Sequence, residues 1–257
     1  MYSEIIFGIA LPFIGTAVGA AFVFFMRRHT KGLCSRLIEG FSAGVMVAAS
    51  IWSLLIPSIE LAEGRGVPSA VPAAVGFLLG IVFFLFCDRL LERHYRKNTL
   101  RGSSLPADGN LSALAVAIHN LPEGMAVGAM FAEVLCTSDL SVMPAAMALS
   151  IGITVQNLPE GAIISLPQYA AGKGKFKSFI LGALSGAVEP VGAILTILAA
   201  GIAVPLLPYL LGFAAGAMMY AVLEEFTGAD DGNRPSTWIF AFSAGFLLMM
   251  SLDVLLG

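Results

Sequence analysis

Eight runs of mainly apolar residues, at 4–26, 37–60, 68–91, 109–133, 140–169, 177–200, 203–226 and 235–256, fill the sequence almost from end to end. Each is close to the ~20 residues a helix needs to cross the hydrocarbon core of a bilayer. A backbone in hydrocarbon must satisfy its hydrogen bonds internally, so runs of this kind commit the chain to helices. The expected fold is all-α: a polytopic membrane protein of eight transmembrane helices in contact with the lipid bilayer. Only 12% of the 257 residues are charged, against about 25% in ordinary soluble domains. A net charge of −3 gives no basis for nucleic-acid binding. Cys34, Cys87 and Cys136 are scattered, with neither disulfide nor metal spacing.

Basic residues orient the spans. Arg27, Arg28, Lys31 and Arg36 follow the first span; Arg89, Arg93, Arg96, Lys97 and Arg101 the third; Lys173, Lys175 and Lys177 the fifth; Arg234 the seventh. The opposite loops hold one basic residue, Arg65, beside Glu60, Glu63, Glu133 and Asp139. This alternation places both termini outside the cytoplasm. The first span has no basic residues before it and reads as a retained anchor. The longest polar stretch, about 92–108, reads as a cytoplasmic loop, so residues 1–257 form a single transmembrane domain.

Against this apolar background one phrase occurs twice. It reads His119-Asn120-Leu121-Pro122-Glu123-Gly124 and then Gln156-Asn157-Leu158-Pro159-Glu160-Gly161. Ionisable groups inside a membrane are costly and face a bundle interior or a water-filled path. Positions i, i+3 and i+4 share one helix face. Each copy can therefore present a polar stripe: His119, Asn120 and Glu123 on span four, Gln156, Asn157 and Glu160 on span five. Imidazole together with carboxylate suits zinc, iron or manganese better than magnesium or calcium. Pro122 and Pro159 withhold a backbone donor and free the carbonyls of Ile118 and Val155, which predicts a kink that opens each helix beside its polar groups.

Span six adds Ser185-Gly186-Ala187-Val188-Glu189-Pro190, a third glutamate beside a proline. Three ionised carboxylates facing one another repel, and a divalent cation or protons must compensate them. Glycines four apart recur at Gly15/Gly19, Gly40/Gly44, Gly76/Gly80, Gly124/Gly128, Gly182/Gly186 and Gly212/Gly216, a spacing that lets helices approach closely. Phe41-Ser42-Ala43-Gly44 in span two resembles Phe213-Ala214-Ala215-Gly216 in span seven. Those spans cross in opposite directions, as an inverted repeat requires. Phe242-Ser243-Ala244-Gly245 in span eight echoes the same phrase.

The paired motif and the span pattern resemble the ZIP family of divalent-metal transporters, and specifically its prokaryotic GufA-like branch. The resemblance covers nearly the whole chain. It implies a transporter that carries a divalent transition metal, zinc above all with Fe2+, Mn2+ and Cd2+ as further candidates, into the cytoplasm. It implies a metal site between spans four and five with a contribution from span six, formed by His119, Asn120, Glu123, Gln156, Asn157, Glu160 and Glu189. Met46 falls where family members place a thioether near the site; Met218 and Met219 are further thioethers. The resemblance also implies alternating access, a homodimer, residence in a bacterial or archaeal plasma membrane, and an inverted repeat of spans 1–3 and 6–8 around spans 4 and 5. Many relatives carry histidine or aspartate where this chain has Gln156 and Asn157, which leaves open whether one metal binds or two.

Glu60 and Asp253, toward the outer side, are candidates to collect cations; Asp88, Glu224 and Glu225, toward the cytoplasm, to receive them. His29 and His94 lie in basic loops. A channel for the same ions is a second reading. An intramembrane metallohydrolase is a third, but it would need a tightly held catalytic metal. The chain has no H-E-x-x-H pair, so no enzymatic activity is expected.

Overall fold

The computed structural model describes residues 1–26, 33–64, 66–99, 109–227 and 236–256. The side chains of some helical residues, His119 among them, also lie outside the described set. Within it there are helices and no strand. They are α1 (Tyr2–Ala21), α2 (Leu33–Ala49), α3 (Ile56–Leu61), α4 (Ala70–Thr99), α5 (Gly109–Thr137), α6 (Met143–Ala170), α7 (Lys175–Gly186), α8 (Val188–Leu198), α9 (Ala200–Ala203), α10 (Leu207–Thr227) and α11 (Ser236–Leu256).

Among the described residues, seven segments are long and apolar enough to cross a membrane; they contain α1, α2 with α3, α4, α6, α7 with α8, α10 and α11. The chain is an integral membrane protein by this measure. α5 is 29 residues long, and the side chains of much of its first half lie outside the described residues. It carries Asn120, Pro122 and Glu123 within its apolar run.

Several local features go beyond the sequence-based expectation. α5 and α6 run without interruption through Pro122 and Pro159. The break occurs instead in span six, at Ala187 between α7 and α8, one turn before Pro190. Pro190 has no amide hydrogen to return to the preceding turn, and the interruption places Glu189 in the first turn of α8. Span two contains a six-residue π-helical segment, Ser50–Leu55, ahead of Pro57, which likewise cannot donate into that turn. The polar stretch that begins near residue 92 starts as helix, since α4 continues to Thr99; residues 100–108 lie outside the described residues.

Helices associate in four close pairs: α1 with α6, α2 with α11, α4 with α10, and α5 with α8. Hydrophobic burial does little for helices already in lipid, so van der Waals fit between small residues decides which faces meet. The glycine pairs supply that fit. A Cβ at Gly19 would lie 1.9 Å from the Leu158 carbonyl oxygen, and one at Gly44 would lie 2.0 Å from that of Phe242. The pairs also reciprocate: Gly76 faces Tyr209 while Gly212 faces Ala73. Exchanging α1 with α8, α2 with α10, α4 with α11, and α5 with α6 returns the same four pairs. α1, α5, α6, α7 and α8 form one group, α2, α3, α4, α10 and α11 the other, and contacts of α10 with α5 and of α2 with α6 join them.

Candidate metal site

Polar groups this far from water must be satisfied by protein, or by something the protein binds. Asn120, Glu123, Gln156, Asn157 and Glu189 are each at most 1% exposed, and Glu160 is 8% exposed. They come from the first helical group only: Asn120 and Glu123 from α5, Gln156, Asn157 and Glu160 from α6, Glu189 from α8.

The motif glycines bring these helices together. A Cβ at Gly124 would lie 2.2 Å from the Glu189 carbonyl oxygen, so the residue after Glu123 seats α8 against α5. A Cβ at Gly161 would lie 2.0 Å from the Thr16 carbonyl oxygen, so the residue after Glu160 seats α1 against α6 in the same manner. The Pro-Glu-Gly order thus combines a carboxylate with the close approach that surrounds it.

The three carboxylates converge. Glu123 is subject to the charges of both Glu160 and Glu189, and Glu189 to that of Glu160. The amide groups are oriented in one sense. Asn120 donates from Nδ2 to Glu189 Oε1 at 2.9 Å and to the Ser185 carbonyl at 3.5 Å. Asn157 donates from Nδ2 to the Pro12 carbonyl at 3.2 Å. Gln156 lies within hydrogen-bonding reach of Glu123, and its Nε2 approaches the Met218 sulfur at 4.0 Å.

With their nitrogens engaged, the oxygens are left over. Asn120 Oδ1, Glu123 Oε2, Gln156 Oε1, Asn157 Oδ1 and Glu189 Oε2 are all buried without a hydrogen-bond partner. Such groups are uncommon, and each costs about 1–3 kcal/mol if nothing meets it. Five buried oxygens without a hydrogen-bond partner form a lining suited to a cation. The carboxylates do not form a site alone: among the described residues, no three His, Cys, Asp or Glu side chains form a group that could hold a metal ion. The unpartnered amide oxygens of Asn120, Gln156 and Asn157 stand beside the carboxylates. His119 lies on α5 one residue before Asn120, and its side chain is outside the described residues.

Met46 is half-buried in the core near the second helical group, with the Ser42 hydroxyl 3.9 Å from its sulfur. The Met218 sulfur, on α10, is the one that Gln156 approaches. Thr16 carries no signal in the sequence, yet its hydroxyl lies 3.2 Å from Glu189 Oε1.

At one end of the helices, a cavity of about 510 Å³ is lined by Glu60 and Asp253 together with Trp52, Met130 and Leu211. The Ser53 hydroxyl donates to Asp253 Oδ1 at 2.6 Å, and Asp253 Oδ2 is buried without a partner. Ser53 belongs to the π-helical segment. At the other end, Tyr220 donates its hydroxyl proton to Asp88 across α10 and α4. Glu224 is exposed, and the side chain of Glu225 lies outside the described residues, as do His29 and the side chain of His94.

Comparison with known proteins agrees with this chemistry. Residues 102–231, which span both copies of the motif and Glu189, match the family described as ZIP Zinc transporter. The zinc transporter ZIP11 of Xenopus tropicalis is 35% identical, with 94% of each chain covered. The zinc transporter GufA of Myxococcus xanthus is 34% identical over 85% of each. The zinc transporter ZIPB of Bordetella bronchiseptica is 32% identical over 98% of this chain and 81% of its own. Similarity that extends over nearly the whole sequence, centred on the helices that hold the orphaned oxygens, leads to one conclusion: the chain belongs to the ZIP family of zinc transporters.

Proposed function

We propose that this protein carries divalent transition metal, zinc first, across the membrane into the cytoplasm through a single transmembrane domain, and that the ion is held between α5, α6 and α8. The observation that carries the reading is the set of five buried, unpartnered oxygens on Asn120, Glu123, Gln156, Asn157 and Glu189. His119 completes the set from α5 and biases it toward transition metals over magnesium. Glu160 supplies charge beside them. Ligands made up largely of neutral amides and carboxylates, with one imidazole, hold an ion loosely enough to release it, which suits passage rather than a resident catalytic metal. Relatives named as zinc transporters favour the same class.

In this reading Glu60 and Asp253 gather cations at the outer cavity, and Asp88, Glu224 and Glu225 draw them away at the cytoplasmic end. The site lies wholly within one helical group, and the flanking acidic residues Glu60, Asp88, Asp253 and Glu224 belong to the other. That division suits alternating access by movement of one group against the other, with a homodimer of the second group as the fixed frame. The test is zinc uptake into liposomes containing the purified protein. Uptake should exceed that of protein-free liposomes severalfold and be competed by cadmium, iron or manganese but not by magnesium. Zinc flux no higher than in protein-free liposomes, or equal competition by magnesium, would overturn the assignment.

Eight spans with both termini outside, in a prokaryotic plasma membrane, complete the proposal. Cys136 is exposed at the end of α5 and serves as a native reporter. With Cys34 and Cys87 replaced by serine, a membrane-impermeant maleimide added to intact cells should label Cys136. In a cysteine-free background, Lys177→Cys should label only after the cells are opened. The reverse pattern would invert the topology.

A further inference from the structure

α1 contributes no residue to the ligand set, yet it repeats the contacts of α8. A Cβ at Gly161 meets the Thr16 carbonyl, as one at Gly124 meets the Glu189 carbonyl. Three residues further on, Gly19 lies against the Leu158 carbonyl, as Gly192 lies against that of Leu121. Four residues back, the Pro12 carbonyl accepts from Asn157 Nδ2, as the Ser185 carbonyl accepts from Asn120 Nδ2. Three independent contacts therefore place Thr16 on α1 at the position that Glu189 holds on α8. The two side chains meet, with the Thr16 hydroxyl 3.2 Å from Glu189 Oε1.

We propose that Thr16 is a positioning residue of the metal site: its hydroxyl, with the Asn120 amide, holds Glu189 Oε1 so that Oε2 is the oxygen offered to the ion. The proposal rests on the site assignment above. Thr16 is fully buried, and its hydroxyl has one proton to give. Two acceptors lie in reach, Glu189 Oε1 at 3.2 Å and the Pro12 carbonyl at 3.4 Å. Pro12 already accepts from Asn157, whereas the carboxylate is nearer and is the stronger acceptor when ionised. The Thr16 and Asn120 donors converge on Oε1, with the Asn157 amide also in reach of the carboxylate, and Oε2 is buried without a partner. A carboxylate fixed in this way presents one oxygen in one direction. The same α1 turn also fixes Asn157, through Pro12, with its Oδ1 left free. A helix without ligands thereby sets the orientation of two of them.

Loss of an outer partner of this kind generally weakens metal affinity 10–100-fold. The test measures zinc affinity by calorimetry and zinc uptake in liposomes for Thr16→Val, which keeps the shape and removes the hydroxyl, and for Thr16→Ser, which keeps the hydroxyl. Thr16→Val should bind zinc about tenfold or more weakly, with the melting temperature of the metal-free protein unchanged, and Thr16→Ser should restore wild-type affinity. In a Glu189→Gln background, Thr16→Val should add far less than it does alone, because the group it orients has been altered. Wild-type affinity in Thr16→Val, full additivity with Glu189→Gln, or equal loss in Thr16→Ser would overturn the proposal. If Glu189→Ala itself bound and carried zinc normally, the site assignment would fail as well; normal behaviour of Thr16→Val beside a defective Glu189→Ala would sink the positioning role alone.

Discussion

Glu123→Ala and Glu160→Ala each reduce zinc uptake to the level of protein-free liposomes, while both variants still insert and remain monodisperse in detergent. The expectation follows from where these carboxylates stand. Glu123 is 1% exposed, faces Glu160 and Glu189, and has one oxygen without a partner. Its removal deletes one of the three carboxylates in a lining whose other oxygens come from neutral amides. Loss of an outer hydrogen-bond partner already costs 10–100-fold in metal affinity, so loss of a charged ligand costs at least about a hundredfold. Folding is spared because the deletion also relieves repulsion among buried like charges. Tracer uptake and calorimetric affinity decide the matter together. If either variant carried zinc at more than about a tenth of the wild-type rate, the centre of the site would lie elsewhere.

Gly19→Ala produces the largest loss of stability. Alanine normally gains about 1 kcal/mol over glycine in a helix interior. Here the added carbon would stand 1.9 Å from the Leu158 carbonyl oxygen, and backbone cannot rotate aside as a side chain can. α1 must separate from α6, which costs packing along the whole pair and exceeds the propensity gain. Overpacking of this kind costs about 1–3 kcal/mol or more. Separation also moves Thr16 and Pro12, so zinc affinity should fall with the melting temperature. Gly201→Ala is the control: nothing lies within 4 Å of its added carbon, and its stability should stay within about 0.5 kcal/mol of wild type. Equal melting temperatures for the two variants would refute the account of α1–α6 packing.

The spans and the paired motif were legible because both are local. Apolar runs of the right length require helices, and a glutamate four residues from a histidine or glutamine needs no knowledge of the fold to suggest one face. The glycine pairs were legible as a spacing, though not as to partner: nothing near Gly19 names Leu158. Thr16 was invisible because a threonine within an apolar run has no distinctive chemistry until Glu189, 173 residues away, stands beside it. The prolines differ in a way the linear sequence did not reveal. Pro122 and Pro159 are accommodated within continuous helices, whereas Pro190 coincides with a real break. Whether a helix tolerates a missing donor depends on neighbours that a linear reading does not contain.

The order in which the close pairs are completed bears on how such a chain is made. α1 finds its partner only when α6 emerges, α2 only with α11, and α4 only with α10. During synthesis these early helices stay in the bilayer without their partners, so each must be stable in lipid alone. Their composition fits that demand: the segments of α1 and α4 are the most apolar of the seven, and those of α6 and α10, which arrive to waiting partners, are the least. α5, burdened by its carboxylate, meets α6 after a turn of a few residues, so the two polar helices can enter as a hairpin against α1. Truncated chains released after α5 should therefore be retained in the membrane less well than chains released after α6, and biogenesis becomes a reason of its own for the two motif-bearing helices to sit in the middle of the sequence.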